Sequence, residues 1–295
     1  PIEQAKVSVM THALHYGTAC FGGIRAYWNE QQEQLYIFRL EDHIKRFLSS
    51  AGLLLMNLPY SAQQLRDAVV ELLRREGQHN DMYVRPLAYK ADHKIGVLLH
   101  GMTDEVTIFA TPFGRYVANE EGASVRVSSW RRVDDNAIPA RGKIAGAYVN
   151  SSLVKSEALM DGYDEAIVLD EHGHVSEGSA ANIFMVREGQ LITPPVSSNI
   201  LEGITRRTIM ELAAAELGIR VEERAIDRTE LYVCDELFFC GTGVQVASIT
   251  AVDRRPVGAG IMGPVTTALR TLYFDIVRGN VEKYRPWNTP VFDHA

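Results

Sequence analysis

Hydrophobic positions in the first hundred residues follow two different periods. The apolar run LYIFRL (35–40) predicts a strand, and EDHIKRFLSSAGLLL, which follows it, has apolar residues at helical spacing. The segment SAQQLRDAVVELLRREG predicts a second amphipathic helix, with Ser61 as its N-cap and Gly77 as its C-cap. MYVRPLAY and VTIFATPF predict two further strands. The first part of the chain is therefore expected to mix helices and strands.

The stretch GRYVANEEGA (114–123) breaks both periods and collects polar residues and glycines. Beyond it, ASVRVSSW, EAIVLD, HVSEG and ELFFCGTG predict strands, whereas AYVNSSLVKSEALMDG, GITRRTIMELAAAELG and GPVTTALRTLYFDIVRG predict helices. We expect a small N-terminal domain at residues 1–112, an interdomain loop at 113–122 and a large domain at 123–295. The fold class is α/β (α+β), with more strand in the second domain.

Composition narrows the classes of protein that remain. A chain of 295 residues with 46% hydrophobic content is large enough for two cores, and its formal net charge of −7 argues against a nucleic-acid partner. No apolar run reaches the roughly 20 residues of a membrane helix. Three cysteines without C-x-x-C spacing indicate buried thiols in a cytoplasmic protein, and no metal site is expected. The chain begins without methionine, which leaves room for a preceding segment.

Lys143 lies among small and apolar residues in IPARGKIAGAYVNSSLVKSEA, with no acidic residue before Glu157. The ordinary explanation is a surface lysine whose stem crosses small residues while its ammonium group reaches water. The alternative is a partly desolvated amine available for Schiff-base chemistry. Pyridoxal phosphate would then require a carboxylate for its pyridine nitrogen and an anion-binding site for its phosphate.

Other segments supply candidates for both requirements. Glu177 in HVSEGSAANIF is the candidate carboxylate, although a turn-capping glutamate is equally ordinary. The helix that starts at Ile204 and Thr205 offers free amide groups, and Thr242 ends an apolar strand in a glycine turn. Arg46 on an early helix could supply a cation. Each feature alone is common, so the residues by themselves leave the function open.

Six segments in their order carry a resemblance to a known family. These segments are HALHYGTACFGGIRAY, MYVRPLAY, RGKIAGAYVNSSL, VSEGSAANIF, LEGITR and FFCGTG. In these motifs the chain resembles the branched-chain amino acid aminotransferases, which are fold-type IV pyridoxal phosphate enzymes. The resemblance implies a smaller N-terminal α/β domain and a larger C-terminal domain with a strand-rich pseudo-barrel. It also implies a homodimer or higher homo-oligomer, in which Tyr16 reaches the neighbouring subunit's pocket.

The resemblance assigns roles to the candidate cofactor residues. It implies that Lys143 carries pyridoxal 5'-phosphate as a Schiff base and moves the substrate proton, and that Glu177 pairs with the pyridine nitrogen. Tyr148 is expected to hydrogen-bond the phenolic oxygen of the cofactor. The expected phosphate contacts are Arg46, Ile204, Thr205 and Thr242.

The implied reaction is transamination between branched-chain L-amino acids and 2-oxoglutarate, so one pocket must accept both an apolar side chain and a carboxylate. The matching substrate positions are Tyr16, Phe21, Arg25, Tyr83, Arg85, Tyr116, Thr242 and Gly243. We expect Tyr83, Arg25 and the amides of the Thr242–Gly243 turn near the α-carboxylate. Arg85, Tyr16 and Tyr116 are expected to meet the glutamate side chain. The ordinary alternative for these residues is core aromatics and surface arginines.

Two positions depart from the family pattern. Gly22 stands where relatives usually carry glutamate, and Ala147 stands where asparagine usually precedes the tyrosine. Loss of an acid beside Arg25 and Arg85 is expected to leave both arginines less anchored. We therefore predict a side activity toward (R)-primary amines.

Several alternatives remain open at this point. D-amino acid aminotransferase, (R)-amine transaminase and aminodeoxychorismate lyase share the fold, but Arg25, YVRP and GRY disfavour them. A non-catalytic pyridoxal phosphate reservoir would need neither Tyr148 nor the substrate arginines, and a cofactor-free binding protein would be colourless. GAGIMG lacks the surrounding βαβ unit of a dinucleotide site. HGH lacks further metal ligands, and Lys155 beside Glu157 fits poorly as the reactive lysine.

Overall fold

A computed structural model describes residues 2–114 and 119–293 of the chain. The described residues form two compact units. The first unit comprises residues 2–114, 142–148 and 276–293, and the second comprises 119–141 and 149–275. Among the described residues, no helix combines the length and the apolar character needed to cross a membrane.

Helices occur in both units. The α-helices of the described residues are α1 (His12–Tyr16), α2 (Leu40–Leu53), α3 (Ala62–Glu76), α4 (Tyr148–Met160), α5 (Ile204–Glu216) and α6 (Pro264–Val277). Short 3-10 helices are found at Ile2–Gln4, Ala145–Ala147, Arg228–Tyr232 and Glu282–Trp287.

The strands of the described residues are numbered in chain order. They are β1 (Ala19–Phe21), β2 (Ile24–Asn29), β3 (Gln34–Phe38), β4 (Met82–Lys90), β5 (Asp104–Pro112), β6 (Ala123–Arg131), β7 (Glu165–Leu169), β8 (Val175–Gly178), β9 (Asn182–Arg187), β10 (Gln190–Thr193), β11 (Val221–Glu223), β12 (Glu236–Gly241), β13 (Gln245–Val252), β14 (Arg255–Pro256) and β15 (Asn288–Pro290).

The predicted ends of α3 are confirmed. The Ser61 hydroxyl accepts a hydrogen bond from the Gln64 amide, the Gln64 side chain accepts one from the Ser61 amide, and Gly77 ends the helix at φ 58°. The predicted strand 35–40 is shorter than expected. Arg39 has a left-handed backbone (φ 48°), so the strand stops at Phe38 and α2 begins at Leu40.

The sheet of the first unit has six antiparallel strands among the described residues. Its strand order is β1-β4-β2-β3-β15, and β5 pairs with the other edge of β4. β1 and β2 pair with successive parts of β4, so the Gly22–Gly23 link between them lies against that strand. This register places Arg25 opposite Tyr83.

The sheet of the second unit is longer and mixed. Its order is β11-β10-β9-β12-β13-β6-β7-β8, with β14 paired to β13, and the β13–β6, β6–β7 and β10–β11 pairs are parallel. β8 is the last strand of this order, whereas β9 lies inside it, yet only three residues separate the two strands in the chain. A 2.7 Å hydrogen bond from the Gly178 amide to the Ala181 carbonyl closes the turn between them. The sheet must therefore curl, which agrees with the expected strand-rich C-terminal domain.

The two units differ from the expected contiguous domains. Residues 142–148 and 276–293 belong to the first unit, although both ranges fall within the proposed large domain 123–295. Ile144 forms a β-bridge with Cys20, and β15 pairs with β3. Hydrophobic periodicity identifies an element but not the unit in which it packs. The sequence therefore did not predict that these two ranges join the first unit.

Free thiols are buried in both units. Cys20, Cys234 and Cys240 are all buried, as predicted for small apolar side chains. Burial raises the pKa of the Cys20 thiol and of the Cys234 thiol to about 12, and it also raises the pKa of Cys240. All three thiols are therefore protonated and unreactive near neutral pH.

We predict that Glu230 makes stability pH-dependent. Hydrogen bonds from Arg224 are the main cause that lowers the pKa of Glu230 from 4.5 to about 2, and Arg187 adds another. The lower folded-state pKa means that the carboxylate stabilises the fold above about pH 4.5 and loses this effect as pH falls toward 2. Glu230→Gln should reduce the free energy of unfolding at pH 7 by roughly 1–3 kcal/mol.

Urea unfolding of wild type and Glu230→Gln from pH 7 to pH 3 measures this effect. The matched control is Glu222→Gln, because Glu222 lies 3.9 Å from the same arginine and is more exposed. The control should change stability little at every pH. A Glu230→Gln deficit that stays constant down to pH 3 would show that ionisation of Glu230 is not its cause.

Candidate active site

Lys143 is held by contacts within the first unit. Its amide donates to the Ser50 hydroxyl at 3.1 Å, and its carbonyl accepts from the Phe21 amide at 3.0 Å. The half-buried ammonium group donates to the Tyr148 hydroxyl at 2.6 Å and lies 5.1 Å from the centre of the Phe21 ring. The side chain thus lies against two aromatic rings, which contradicts the ordinary explanation of a surface lysine.

The rival lysine has a structural partner. Lys155 donates to the Asp164 carbonyl at 2.6 Å and to the buried Glu165 carboxylate at 2.9 Å. Its charge therefore offsets that of Glu165 inside the second unit. This ion pair accounts for Lys155 without a catalytic role.

Arg46 lies on α2, close in the chain to a group that contacts Lys143. The Ser50 hydroxyl donates a hydrogen bond to the Arg46 carbonyl at 2.8 Å and accepts one from the Lys143 amide. This serine therefore fixes the backbone of Lys143 to the helix turn that carries Arg46. Sequence reasoning did not single out Ser50.

The candidate substrate residues of the first unit form an aromatic and cationic group. Arg85 donates to the Tyr83 hydroxyl at 2.7 Å and lies 4.3 Å from the centre of the Phe21 ring. Phe21 in turn packs on Tyr148 with ring centres 4.8 Å apart. Arg85 Nε is buried without a hydrogen-bond partner among the described residues, which leaves a donor for a ligand.

The expectation that Arg25 is loosely anchored is wrong. Its side chain is only 4% exposed and donates to the carbonyl oxygens of Phe113 at 3.0 Å and Gly114 at 2.9 Å. It also lies 5.2 Å from the Phe113 ring centre. Backbone carbonyls therefore hold this guanidinium group in place.

Tyr16 is hydrogen-bonded to a loop of the first unit. The Tyr16 hydroxyl accepts a hydrogen bond from the Gly96 amide at 3.0 Å. Nε2 of buried His12 lies 2.7 Å from the Gly96 carbonyl oxygen. These bonds join the end of α1 to the 91–101 loop. Tyr116 lies outside the described residues.

Glu177 is the buried carboxylate of the second unit. It is 3% exposed and forms an ion pair with Arg132 at 3.0 Å. The Asn182 side-chain amide donates to it at 3.1 Å and the Leu201 amide at 3.3 Å. Sequence reasoning missed Arg132 and Asn182, although Asn182 lies only five residues after the candidate acid in SEGSAAN.

The start of α5 is suited to an anion. The first amide groups of a helix have no intrahelical acceptor. Gly203 is the N-cap residue of α5 and no side chain caps the helix, so these amides remain suited to an anion. Ile204 and Thr205 form the buried first turn. Thr242 and Gly243 lie half-buried in the turn between β12 and β13. In the described part of the chain, no three His, Cys, Asp or Glu side chains form a metal-binding group.

Residues 19–252 match the family model of the amino-transferases of class IV, and this range covers more than half of the chain. The chain belongs to the class IV aminotransferases. Members of this family use pyridoxal 5'-phosphate, so the protein is a transaminase with that cofactor. The chemistry of the residues fits this cofactor, because the first unit offers a half-buried amine and the second unit offers a buried carboxylate and an uncapped helix start.

Similar proteins of this family cover almost the whole chain. The "Probable branched-chain-amino-acid aminotransferase" of Aquifex aeolicus is 50% identical over 293 residues, which is 99% of this chain and 94% of the relative. The structure of the Thermoproteus uzoniensis branched-chain aminotransferase with norvaline has a TM-score of 0.94 and 46% identity, and it covers 98% of this chain and 95% of its own.

Another solved structure is that of the T.th branched-chain amino acid aminotransferase complexed with N-(5'-phosphopyridoxyl)-L-glutamate. It has a TM-score of 0.93 and 42% identity, with coverage of 99% of this chain and 95% of its own. These matches confirm the predicted family and its fold-type IV architecture.

We predict that a side chain at Gly22 destabilises this aminotransferase. The Gly22 amide donates to the Pro86 carbonyl at 2.8 Å, and a Cβ atom added there would lie 2.6 Å from Pro86 Cγ. Gly22→Ala should lower the free energy of unfolding by roughly 1–3 kcal/mol because a strand and a proline ring must shift. The glycine thus serves packing, and Gly22→Glu would disturb β4 as well as add a charge.

Denaturant unfolding of Gly22→Ala tests the packing role. Gly52→Ala is the matched control, since Gly52 lies in α2 and a Cβ atom there would meet nothing within 4 Å. The control should be more stable by about 0.5–1 kcal/mol, because alanine favours a helix over glycine. Equal stability of wild type and Gly22→Ala would refute the steric argument.

Proposed function

We propose that the protein transfers amino groups between branched-chain L-amino acids (leucine, isoleucine and valine) and 2-oxoglutarate, giving branched-chain 2-oxo acids and L-glutamate. The observation that carries this proposal is the Lys143–Tyr148 pair, held by Phe21 in a chain whose relatives are named branched-chain aminotransferases. A relative bound to norvaline and another bound to a phosphopyridoxyl glutamate support the two substrate classes.

Each cofactor residue has a proposed role. When bound, pyridoxal phosphate supplies an electron sink for the charge left at the substrate Cα atom. Lys143 holds the cofactor covalently and, once its amine is free, moves the Cα proton as general base and acid. Tyr148 donates to the phenolic oxygen, and Glu177 accepts the pyridine N–H and keeps it protonated. Arg46, Ile204, Thr205 and Thr242 bind the phosphate.

The substrate residues have to serve two chemically different side chains. Phe21 offers an apolar surface for leucine, and Arg85, with its unpartnered Nε, offers a donor for the glutamate carboxylate. We propose that Tyr16 and Tyr116 assist Arg85. Tyr83, Arg25 and the Thr242–Gly243 amides recognise the α-carboxylate. Arg25 contributes through its position and charge, because its Nη2 already donates to two carbonyls.

We also propose a cytoplasmic homodimer or higher homo-oligomer. Large apolar side chains are exposed in the N-terminal segment and in the 91–101 loop, among them Val9 (75%), Ile95 (77%) and Val97 (82%). A second copy of the chain would cover them, with Tyr16 reaching the neighbouring pocket. Three buried free cysteines agree with a reducing compartment. Light scattering after size exclusion tests the oligomeric state.

Turnover with L-leucine and 2-oxoglutarate tests the proposed reaction. Formation of L-glutamate supports it, whereas a yellow protein without turnover would indicate a pyridoxal phosphate reservoir. The same assay with D-leucine and (R)-1-phenylethylamine separates the related transaminases. The predicted amine side activity now depends on Arg85 alone, because Arg25 is fixed by backbone carbonyls. Activity with D-leucine exceeding that with L-leucine would contradict the proposal.

We predict that Lys143→Ala abolishes both transamination and the visible absorption band of the bound cofactor, because the amine beside Tyr148 is removed. Far-UV circular dichroism should stay close to that of wild type, since the side chain is only half-buried. Absorption spectra and the leucine assay measure both effects.

Lys155→Ala is the matched control for this variant. It should retain the visible band but unfold more easily, because the buried Glu165 carboxylate loses its partner. Full activity in Lys143→Ala, or loss of the band only in Lys155→Ala, would show that the reactive lysine is wrongly assigned.

A further inference from the structure

The segment that leads into α5 is fastened to the carboxylate of Glu177. The Leu201 amide donates to Glu177 Oε2 at 3.3 Å, and the Leu201 carbonyl accepts from Asn182 Nδ2 at 2.9 Å. The same Asn182 amide group donates to Glu177 Oε2 at 3.1 Å. One side chain thus bridges the carboxylate and the turn that ends at Gly203.

The other face of the Asn182 amide meets the helix cap. A Cβ atom at Gly203 would lie 2.0 Å from Asn182 Oδ1, so the helix start and this side chain are in close contact. Asn182 is 5% exposed and begins β9, where it pairs with Cys240 of β12. The side chain is therefore anchored in the sheet and has little freedom to move away from either neighbour.

Arg132 holds the same segment from a second direction. It forms the ion pair with Glu177 Oε1, and its Nε donates to the Asn199 carbonyl at 3.1 Å. Glu177 Oε1 is thus bound by Arg132, and Glu177 Oε2 by Asn182 and the Leu201 amide. Arg132 and Asn182 also bond residues 199 and 201, so each oxygen is linked to this segment. A displacement of the carboxylate would be transmitted to this segment.

We propose that Asn182 is a positioning residue that couples the Glu177 carboxylate to the N-terminus of α5. The proposal rests on the proposed roles of Glu177 at the pyridine nitrogen and of Ile204 and Thr205 at the phosphate. Asn182 fixes the separation between these two groups, so both are already placed before the cofactor binds. Such preorganisation lowers the entropic cost of binding.

The uncharged side chain makes the coupling testable. Removal of the Asn182 amide leaves every formal charge in place, so a change in anion affinity cannot come from a lost charge. Because the amide touches the helix cap and not the first-turn amides, its effect on phosphate must act through the Leu201–Gly203 turn. A direct phosphate ligand would show no dependence on Glu177.

The experiment measures binding in the full chain of wild type, Asn182→Ala and Asn182→Leu. Cofactor release from the holoenzyme is followed by loss of the visible band, and inorganic phosphate is titrated calorimetrically into protein freed of cofactor. Asn150→Ala is the control, since Asn150 also donates one side-chain hydrogen bond to a carbonyl in the second unit. Thermal unfolding checks that each variant is folded.

We expect the phosphate dissociation constant to rise about two- to tenfold in both Asn182 variants, as for the loss of one or two hydrogen bonds, and cofactor release to accelerate. Asn182→Leu keeps the branched shape of the side chain and adds no charge, but it cannot donate to Glu177. Asn150→Ala should match wild type. In a Glu177→Ala background, Asn182→Ala should have a smaller effect, because the coupled partner is already gone.

Phosphate affinity equal to wild type in folded Asn182→Ala and Asn182→Leu would overturn the proposal. An equal effect of Asn182→Ala with and without Glu177 would also overturn it, because Asn182 would then act on the turn alone. Failure of the proposed function looks different, since wild type itself would then lack the leucine reaction, with or without the visible band.

Discussion

Three segments of the second unit converge on the buried carboxylate of Glu177. Glu177 is 3% exposed, and an ionised carboxylate in that environment is costly unless several donors compensate for lost water. Arg132, Asn182 and the Leu201 amide provide them from the residue after β6, the start of β9 and the turn before α5. The need to satisfy this carboxylate therefore determines where three separate segments of the chain meet. It also leaves an acidic group available at a defined place.

In the first unit, Lys143 is also held by specific contacts, which include a phenol hydroxyl and an aromatic ring. Lys143 has its backbone fixed by Ser50 and Phe21, while its ammonium group contacts a phenol and aromatic ring faces. Lys155, paired with Glu165, shows the contrasting arrangement. These contacts of Lys143, the proposed reactive lysine, and of Lys155 therefore differ in kind.

Sequence patterns predicted the long elements and the motifs that carry chemistry, since helix periodicity, caps and six family segments are local properties. They did not predict β1 and β2, whose short apolar runs surround Gly22 and Gly23, or the return of residues 142–148 and 276–293 to the first unit. Arg25 was misjudged because backbone carbonyls of Phe113 and Gly114 hold it, which no residue type reveals. Arg132 was missed because it is distant from Glu177 in the chain, whereas Asn182 was missed although only a short turn separates it from Glu177.

We propose that Lys143, and not another lysine, carries the cofactor. Borohydride reduction of the purified holoenzyme fixes pyridoxal phosphate on its lysine, and peptide mass spectrometry then locates the added mass. We expect the modification at Lys143, in the peptide that contains Ile144 to Tyr148, at close to one cofactor per chain. Modification at Lys155, or spread over several surface lysines with Lys143 unmodified, would contradict it.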